Sequence, residues 1–439
     1  MVEQTARKGT IRVEASVNSD ATLGEVRLRK VFYIPGFDPA PPRRYRELYR
    51  REAKAQAAIS GYAIDVAARH GSGSFGWVVT TSLNGQDVRT EFEVLVWSDI
   101  VRASMGGGIV ITYLQMVRTA WIYLSSGALF RLMRLRKGPV IAALYPIFML
   151  LVELALAGMV FWLVSGLSAF GLERLSGAIY GPSLFEPWFV QSHYLSVAIG
   201  VVAGALVLRW FKRNDHRIFA YYLMQDYAFT ARLRGDYSPE LEQRLAMFGG
   251  LITKALQSDC NEVLVVGHSS GAHLGVSILA DILRAGLPKP LPSLGFLSLG
   301  QVVPMVSFLP KAHRLRGDLH YLCARDELTW VDVTAPGDGC AFALCDPVSV
   351  TGVAAPGKRW PLVISAAFTK TLSPARWKVL RWRFFRLHFQ YLCAFDRPGI
   401  YDYFRITAGP QTLADRFAGC APSKSRIETP ASAYTSICK

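Results

Sequence analysis

Residues 262–274 read EVLVVGHSSGAHL, and this stretch decides the fold. The apolar run from Val263 to Val266 is typical of a strand that is buried on both faces of a sheet. Gly267 and Gly271 bracket Ser269, and the following residues, AHLGVSILADIL, have apolar side chains at helical spacing. A strand, a glycine-bounded turn and a helix in direct succession hold a serine hydroxyl out from the backbone. We therefore predict that Ser269 lies on a tight strand-to-helix turn and is a candidate nucleophile.

The segments on both sides of this turn alternate between strand-like and helical patterns. Fully apolar strands that alternate with helices indicate a mostly parallel sheet with helices on both faces, an α/β fold. The predicted strands are 10–18, 25–34, 76–82, 88–97, 263–267, 294–300 and the run LTWVDVT at 328–334, and the predicted helices are 42–59, 218–231, 239–257 and the segment after the turn.

Two long apolar segments interrupt this pattern. Residues 139–168 contain one charged residue, Glu153, and a second apolar segment runs from Tyr194 to Trp210. Each is long enough to cross a hydrocarbon core of about 30 Å as a helix. We predict a transmembrane hairpin at 139–211, inserted between two parts of one α/β domain at 1–138 and 212–439.

The flanking charges predict the orientation of this hairpin. Arginine and lysine collect on the outer flanks, whereas the connecting loop has a mixture of signs, so the positive-inside rule places both flanks in the cytoplasm. We expect an integral protein of a bacterial-type inner membrane with both termini and the α/β domain cytoplasmic. The basic flanks are Arg131, Arg134, Arg136 and Lys137 before the hairpin and Arg209, Lys212, Arg213 and Arg217 after it.

A further apolar segment at 107–130 allows two interpretations. It contains only Arg118 as a charge and has the length of a third span. Alternatively, it lies in the membrane interface with Trp121 and Tyr123 at headgroup level. A third crossing would separate the two halves of the chain by the membrane, whereas an interfacial helix keeps them together.

A nucleophilic serine requires two backbone N–H donors for the oxyanion that forms during acyl transfer. One is the amide of the residue after the nucleophile, Ser270. The stretch VFYIPGFDP provides a Pro35-Gly36 turn directly after an early strand, which makes the Phe37 amide the candidate for the second donor.

The PGFD and GHSSG motifs, together with the order of the elements, resemble the α/β-hydrolase superfamily. The resemblance implies a serine hydrolase of the esterase or lipase-like type, with nucleophile, acid and histidine in that order along the chain. It implies His388 as the base among four histidines after Ser269, the others being His273, His313 and His320. It also implies an acid in the loop after the 328–334 strand, which is Asp338, with Asp326 and Asp332 as alternatives and Asp346 as a weaker one.

The expected function is that of a membrane-anchored serine hydrolase. It would cleave an ester or lipid-like acyl substrate through a Ser269, Asp338 and His388 catalytic triad and an acyl-enzyme. Two alternatives stay open: a membrane scaffold or sensor that keeps this fold without turnover, and an acyltransferase that uses the same acyl-enzyme.

Composition limits the partners. A formal charge of +16 indicates an anionic partner, and beside membrane spans an anionic lipid surface is favoured over nucleic acid. The basic aromatic stretch at 376–389 is accordingly interpreted as an interfacial helix.

Seven cysteines without paired C-x-x-C spacing predict no metal site. The segment GVAAPGKR at 352–359 lacks the Ser or Thr of a P-loop, so no cofactor is expected. The oligomeric state stays open.

Overall fold

The computed structural model describes residues 25–69, 74–83, 85–180, 185–287 and 292–438. The strand predicted at 10–18 lies outside these ranges. One sheet of eight strands organises the chain, in the order β2-β3-β4-β1-β5-β6-β7-β8. The strands are β1 Leu28–Ile34, β2 Ala63–Ala68, β3 Gly76–Leu83, β4 Gln86–Val94, β5 Glu262–His268, β6 Ser293–Leu299, β7 Thr329–Thr334 and β8 Leu362–Ser365.

The sheet is mostly parallel, as predicted. Every pairing from β4 through β1 to β8 is parallel, and the hairpin of β2 and β3 adds two antiparallel pairings at one edge. The sequence analysis did not predict β2 and β8. Both are edge strands, and β8 has only four residues, so neither carries a long buried pattern.

Helices cover both faces of the sheet, which confirms the predicted α/β layering. The helices before residue 215 are α1 Arg43–Ser60, α2 Ser98–Ser104, α3 Ile109–Ser125, α4 Ala128–Leu135, α5 Lys137–Tyr180 and α6 Phe185–Arg213. The later helices are α7 Asp215–Ile218, α8 Ala220–Ala231, α9 Pro239–Leu256, α10 Ser270–Arg284, α11 Val303–Ser307, α12 His313–Leu322, α13 Pro347–Thr351, α14 Phe368–Thr371, α15 Pro374–Leu380, α16 Phe384–His388, α17 Tyr403–Ala408 and α18 Leu413–Arg416.

The core lies on both sides of the sheet because successive strand residues point to opposite faces. In β5, Val263 and Val265 pack with α9, α10 and α12. Leu264 and Val266 pack on the other face, with residues of α1 and α17. Strand β5 is thus buried on both faces, as its uninterrupted apolar run predicts.

Two helices, α5 and α6, are long and apolar enough to cross a membrane. Both extend beyond the predicted spans, because the helices do not end where the apolar residues end. Gly200 and Gly204 of α6 face α5, and a Cβ at Gly204 would lie 3.1 Å from the Ala157 carbonyl oxygen. The two helices therefore pack on each other through small residues. At 44 residues, α5 is about 66 Å long and exceeds a hydrocarbon core of about 30 Å.

The segment predicted at 107–130 forms two helices, α3 and α4. Helices α2 and α3 meet at a bend of 100°. By length and composition, the two helices together form a third candidate span only if the bent pair is treated as a single broken span. One side of α3 contacts the rest of the protein: the Tyr123 hydroxyl donates to the Met305 carbonyl over 2.9 Å. The other side exposes large apolar residues, namely Val110, Leu114, Val117, Trp121 and Leu124.

The basic aromatic stretch at 376–389 is not the single helix that was predicted. It forms the end of α15 and all of α16, with a turn around Arg381 to Arg383 between them. Leu387 and His388 are buried, whereas Trp382 is 72% exposed. The turn allows one end of the stretch to enter the core while the other stays at the surface.

Candidate active site

Ser269 lies between β5 and α10 in a strained backbone conformation. Its φ of 57° and ψ of −121° belong to a region that non-glycine residues rarely occupy. Such strain costs about 1–3 kcal/mol and persists only where the surrounding structure imposes it. The Ser269 amide donates to the Leu299 carbonyl at the end of β6 over 2.9 Å. The tight turn predicted from the sequence is therefore present.

Glycines make the turn possible through close backbone contacts. A Cβ at Gly271 would lie 2.1 Å from the Ile34 carbonyl oxygen, and one at Gly267 would lie 2.6 Å from the Gly271 carbonyl oxygen. At Gly36 a Cβ would lie 3.0 Å from the Ser269 Cβ. The loop after β1 therefore packs directly against Ser269, and a larger residue at either elbow glycine has no room.

The loop after β1 is fixed by side chains from three other parts of the chain. Trp97 donates its indole N–H to the Pro35 carbonyl over 2.9 Å. The Tyr222 hydroxyl donates to the Phe37 carbonyl. Asp38 accepts hydrogen bonds from the Tyr45 hydroxyl and the Ala40 amide. The backbone of this loop is therefore held in place beside Ser269 by contacts within the protein.

The Phe37 and Ser270 amides are both available as donors. Neither donates a backbone hydrogen bond to another group in the described ranges. Both residues line the same cleft, which also includes Trp97, His273 and Asp226. Two N–H groups next to a serine hydroxyl are the arrangement that an oxyanion requires.

His388 and Asp338 form a buried pair. His388 Nδ1 lies 2.8 Å from Asp338 Oδ2, which also accepts the Tyr391 hydroxyl over 3.0 Å. The Cys340 amide donates to Asp338 Oδ1 over 2.9 Å. Burial acts to raise the pKa of Asp338, but the His388 ring and these donors outweigh it and leave the pKa below its ordinary value. An ionised Asp338 accepts the Nδ1 proton, which leaves Nε2 of His388 as an acceptor.

The pair lies next to Ser269 at the carboxyl end of β6. A Cβ at Gly300 would lie 3.1 Å from His388 Cε1, and the preceding residue, Leu299, accepts the Ser269 amide. The ring of His268 lies 4.8 Å from the His388 ring, centroid to centroid. Within the described residues, Ser269 Oγ forms no hydrogen bond with His388. In ligand-free sites such bonds are often long and tighten only in the substrate complex.

The chain matches no protein-family model, no curated protein and no solved structure. The chemistry of the site is therefore interpreted from its own geometry.

The alternative acids have partners other than His388. Asp326 is exposed and pairs with Arg359 over 2.8 Å. Asp332 is buried within β7 and bonds to the Ser298 hydroxyl over 2.6 Å. Asp346 caps α13 and pairs with Lys358.

The alternative histidines also have other partners. His273 Nδ1 is 3.0 Å from the Tyr237 hydroxyl, and burial lowers its pKa to about 3. His320 bonds to the Val353 carbonyl, and His313 contacts Arg316. None of these histidines contacts Asp338 among the described residues.

The sequence analysis missed three residues of the site. His268 supports His388, because its Nε2 is 3.0 Å from the His388 carbonyl oxygen. Tyr391 holds Asp338 and also accepts the Ala335 amide. Asp226 of α8 lines the cleft beside Phe37 and Ser270. The position of His268 directly before Ser269 was a usable signal, whereas nothing in the local sequence distinguishes Asp226.

Asp226 has an unusual environment for a carboxyl group. Burial raises its pKa to about 7, and the neighbouring His388 acts in the opposite direction. The folded protein therefore keeps a proton on Asp226 up to about pH 7, whereas the unfolded chain releases it near the ordinary value of about 3.9. Stability contributed by this group is lost as the pH rises between these two values.

Asp226→Asn is accordingly expected to stabilise the protein, and more at pH 8 than at pH 5. The amide cannot ionise, so the substitution removes the loss that accumulates above about pH 4. We expect a gain of at least about 2 °C in Tm at pH 8. Thermal unfolding at both pH values, with the exposed Asp87→Asn as control, measures it. An equal or larger gain at pH 5 would contradict the placement of Asp226.

Asp338, Cys340 and His388 also place three potential metal-ligand atoms within 4.8 Å of one another. Two of these residues are already hydrogen-bonded to each other. Burial and the carboxylates of Asp338 and Asp226 raise the pKa of the Cys340 thiol well above its ordinary value. Asp338 Oδ2 is bonded to both His388 Nδ1 and the Tyr391 hydroxyl, and these hydrogen bonds account for the closeness of the Asp338 and His388 side chains.

Proposed function

We propose that this chain is a membrane-anchored serine hydrolase of the α/β-hydrolase type, which cleaves an ester or lipid-like acyl substrate. The observation that carries the proposal is the strained conformation of Ser269 beside two free amides and a buried pair of His388 and Asp338. Strain of this kind is retained at functional sites, where the surroundings hold it in place. A turn that served only the fold would need neither the two amides nor the pair of His388 and Asp338.

In the proposed mechanism, His388 Nε2 takes the proton of the Ser269 hydroxyl as the oxygen attacks the ester carbonyl. The Phe37 and Ser270 amides donate to the oxyanion of the tetrahedral intermediate. Asp338 stabilises the imidazolium and keeps Nδ1 protonated. His388 then gives its proton to the leaving alcohol, and an acyl-enzyme remains on Ser269. Water, deprotonated by the same histidine, releases the acid and restores the serine.

Contacts between the site and the membrane helices favour a substrate from the bilayer. At the start of α5, a Cβ at Gly138 would lie 3.3 Å from Gly339 Cα, one residue after Asp338. Arg136 donates to the Ala343 carbonyl over 2.8 Å. The loop that holds the proposed acid is therefore in contact with the base of the membrane hairpin.

A second contact joins the other end of the hairpin to the histidine segment. Phe219, which follows α7, packs on Phe385 of α16 with ring centroids 4.9 Å apart. Near this contact Trp382, Arg381 and Arg383 are exposed. Basic and aromatic side chains are suited to the headgroup level of an anionic membrane. We propose that the basic flanks and the active site share the cytoplasmic side, which an even number of crossings allows.

Hydrolysis of a simple ester tests the proposal. The detergent-solubilised protein is expected to hydrolyse p-nitrophenyl butyrate and to lose this activity after treatment with a fluorophosphonate. Absorbance of the released p-nitrophenolate measures the rate. A well-folded protein that hydrolyses no ester from butyrate to decanoate would count against the enzyme and in favour of a non-catalytic scaffold.

A further inference from the structure

An apolar cavity lies where the membrane helix α5 meets the α/β unit. Its volume is about 260 Å³, and residues of α3, α4, α5 and α8 together with Met305 form its walls. The contribution of α5 comes from its first turns. The lining residues of α5 are Val140, Ala143, Leu144 and Ile147.

The cavity lies beside the cleft that Phe37 and Ser270 line. Asp226 lines the cleft and the next residue, Tyr227, lines the cavity. In the same way Val306 lines the cleft and Met305 lines the cavity. One layer of side chains from α8 and α11 therefore separates the two spaces, and the cleft side of this layer contains Ser270.

The outer side of the cavity faces a surface that is suited to lipid. Leu124 of α3 and Leu144 of α5 line the cavity and are also partly exposed, at 46% and 37%. Trp121, Ile141 and Phe148 beside them are more exposed still. This apolar surface is continuous with the membrane-spanning part of α5, so the bilayer that holds the span also reaches the gap between α3 and α5.

The side chains that line the cavity determine which kind of ligand it can bind. Apart from the hydroxyl groups of Thr119, Tyr123 and Tyr227, the lining side chains are hydrocarbon or thioether. The Tyr123 hydroxyl is already bonded to the Met305 carbonyl. A peptide would bring backbone amides that need partners in such a cavity, at a cost of about 1–3 kcal/mol each, whereas an acyl chain brings none.

We propose that this cavity binds one acyl chain of a bilayer lipid, which enters between α3 and α5 while its ester group lies at Ser269. The inference rests on the proposed function, because it assigns the substrate of that same site. Tyr227 and Met305 line the cavity on the side of the cleft, so their side chains must move for the ester group to reach Ser269.

Filling the cavity tests the assignment. Ala143→Trp places an indole among the lining residues, and Ala155→Trp places one on an exposed position of the same helix. With p-nitrophenyl decanoate and butyrate, Ala143→Trp is expected to reduce the decanoate to butyrate ratio of kcat/KM at least about tenfold, the value of two excluded methylene groups. Ala155→Trp is expected to leave the ratio unchanged. Ala120→Phe fills the cavity from α3 and replaces Ala143→Trp if that variant does not fold.

A binding measurement separates this inference from the proposed function. In lipid nanodiscs, Ser269→Ala protein is photolysed with a phosphatidylcholine that has a diazirine in one acyl chain. Adducts are expected on peptides of α3 and the first turns of α5, and Ala143→Trp is expected to reduce them at least fivefold. If esters are hydrolysed but neither the ratio nor the adducts respond to Ala143→Trp, the cavity assignment is wrong and the hydrolase stands. If the adducts respond and no ester is hydrolysed, the cavity binds lipid and the hydrolase proposal fails.

Discussion

Ser269→Ala is expected to reduce kcat for ester hydrolysis by about 10⁴ to 10⁶, with little change in KM. Alanine removes the only atom that forms the covalent bond with the acyl group, while the two amides of the cleft remain to bind the substrate. The loss is large because the serine, the histidine and the acid act as one unit, so that removal of the nucleophile leaves only binding and oxyanion stabilisation.

Ser258→Ala is the matched control. Ser258 lies before β5 and Ser269 lies after it, so the two serines are at opposite ends of the strand. The Ser258 hydroxyl donates to the Ala255 carbonyl. Steady-state kinetics on both variants, with thermal unfolding to show that each is folded, decides the result. Retention of more than about a tenth of the wild-type rate in Ser269→Ala would mean that another group attacks the substrate.

Asp338→Asn is expected to reduce kcat by about 10⁴. An amide in this position donates to Nδ1 of His388, which then holds its proton on Nε2 and cannot accept the proton of Ser269. The substitution keeps the shape of the side chain, and the Cys340 amide still donates to the remaining oxygen. The effect should therefore appear in kcat and much less in stability or KM.

Asp332→Asn provides the corresponding control. Asp332 is also a buried aspartate after the nucleophile, but it bonds to Ser298 within the sheet and has no contact with His388 among the described residues. Burial raises its pKa to about 8, so the neutral amide is a close replacement for the protonated acid. Comparison of kcat for the two variants identifies the acid. A larger loss for Asp332→Asn than for Asp338→Asn would contradict the assignment.

The strand, turn and helix around Ser269 could be predicted from sequence because their signals are local. Four apolar residues, two glycines and a helical repeat occur within one short stretch. The two long apolar helices were predictable for a similar reason, since an apolar pattern with one charge over some thirty residues is a strong signal. The pairing of His388 with Asp338 was expected only through the resemblance to a family, and the structure brings these two residues together.

The supporting residues were not predictable, because they depend on contacts between distant parts of the chain. Tyr222, 185 positions after Phe37, donates to the carbonyl of that residue. Asp226 enters the cleft because α8 follows the hairpin and returns across the site. The 376–389 stretch is interrupted because His388 is buried in the core while Trp382 stays exposed. No periodicity in the sequence encodes these distances.

The central claim is that Ser269 is an activated nucleophile. Labelling of the solubilised wild-type protein with a fluorophosphonate probe, followed by mass spectrometry of the modified peptide, tests it most directly. The account predicts one adduct on Ser269, loss of labelling in Ser269→Ala and strongly slowed labelling in Asp338→Asn and His388→Ala. No labelling of folded wild-type protein, or equal labelling of Ser269→Ala, would contradict it.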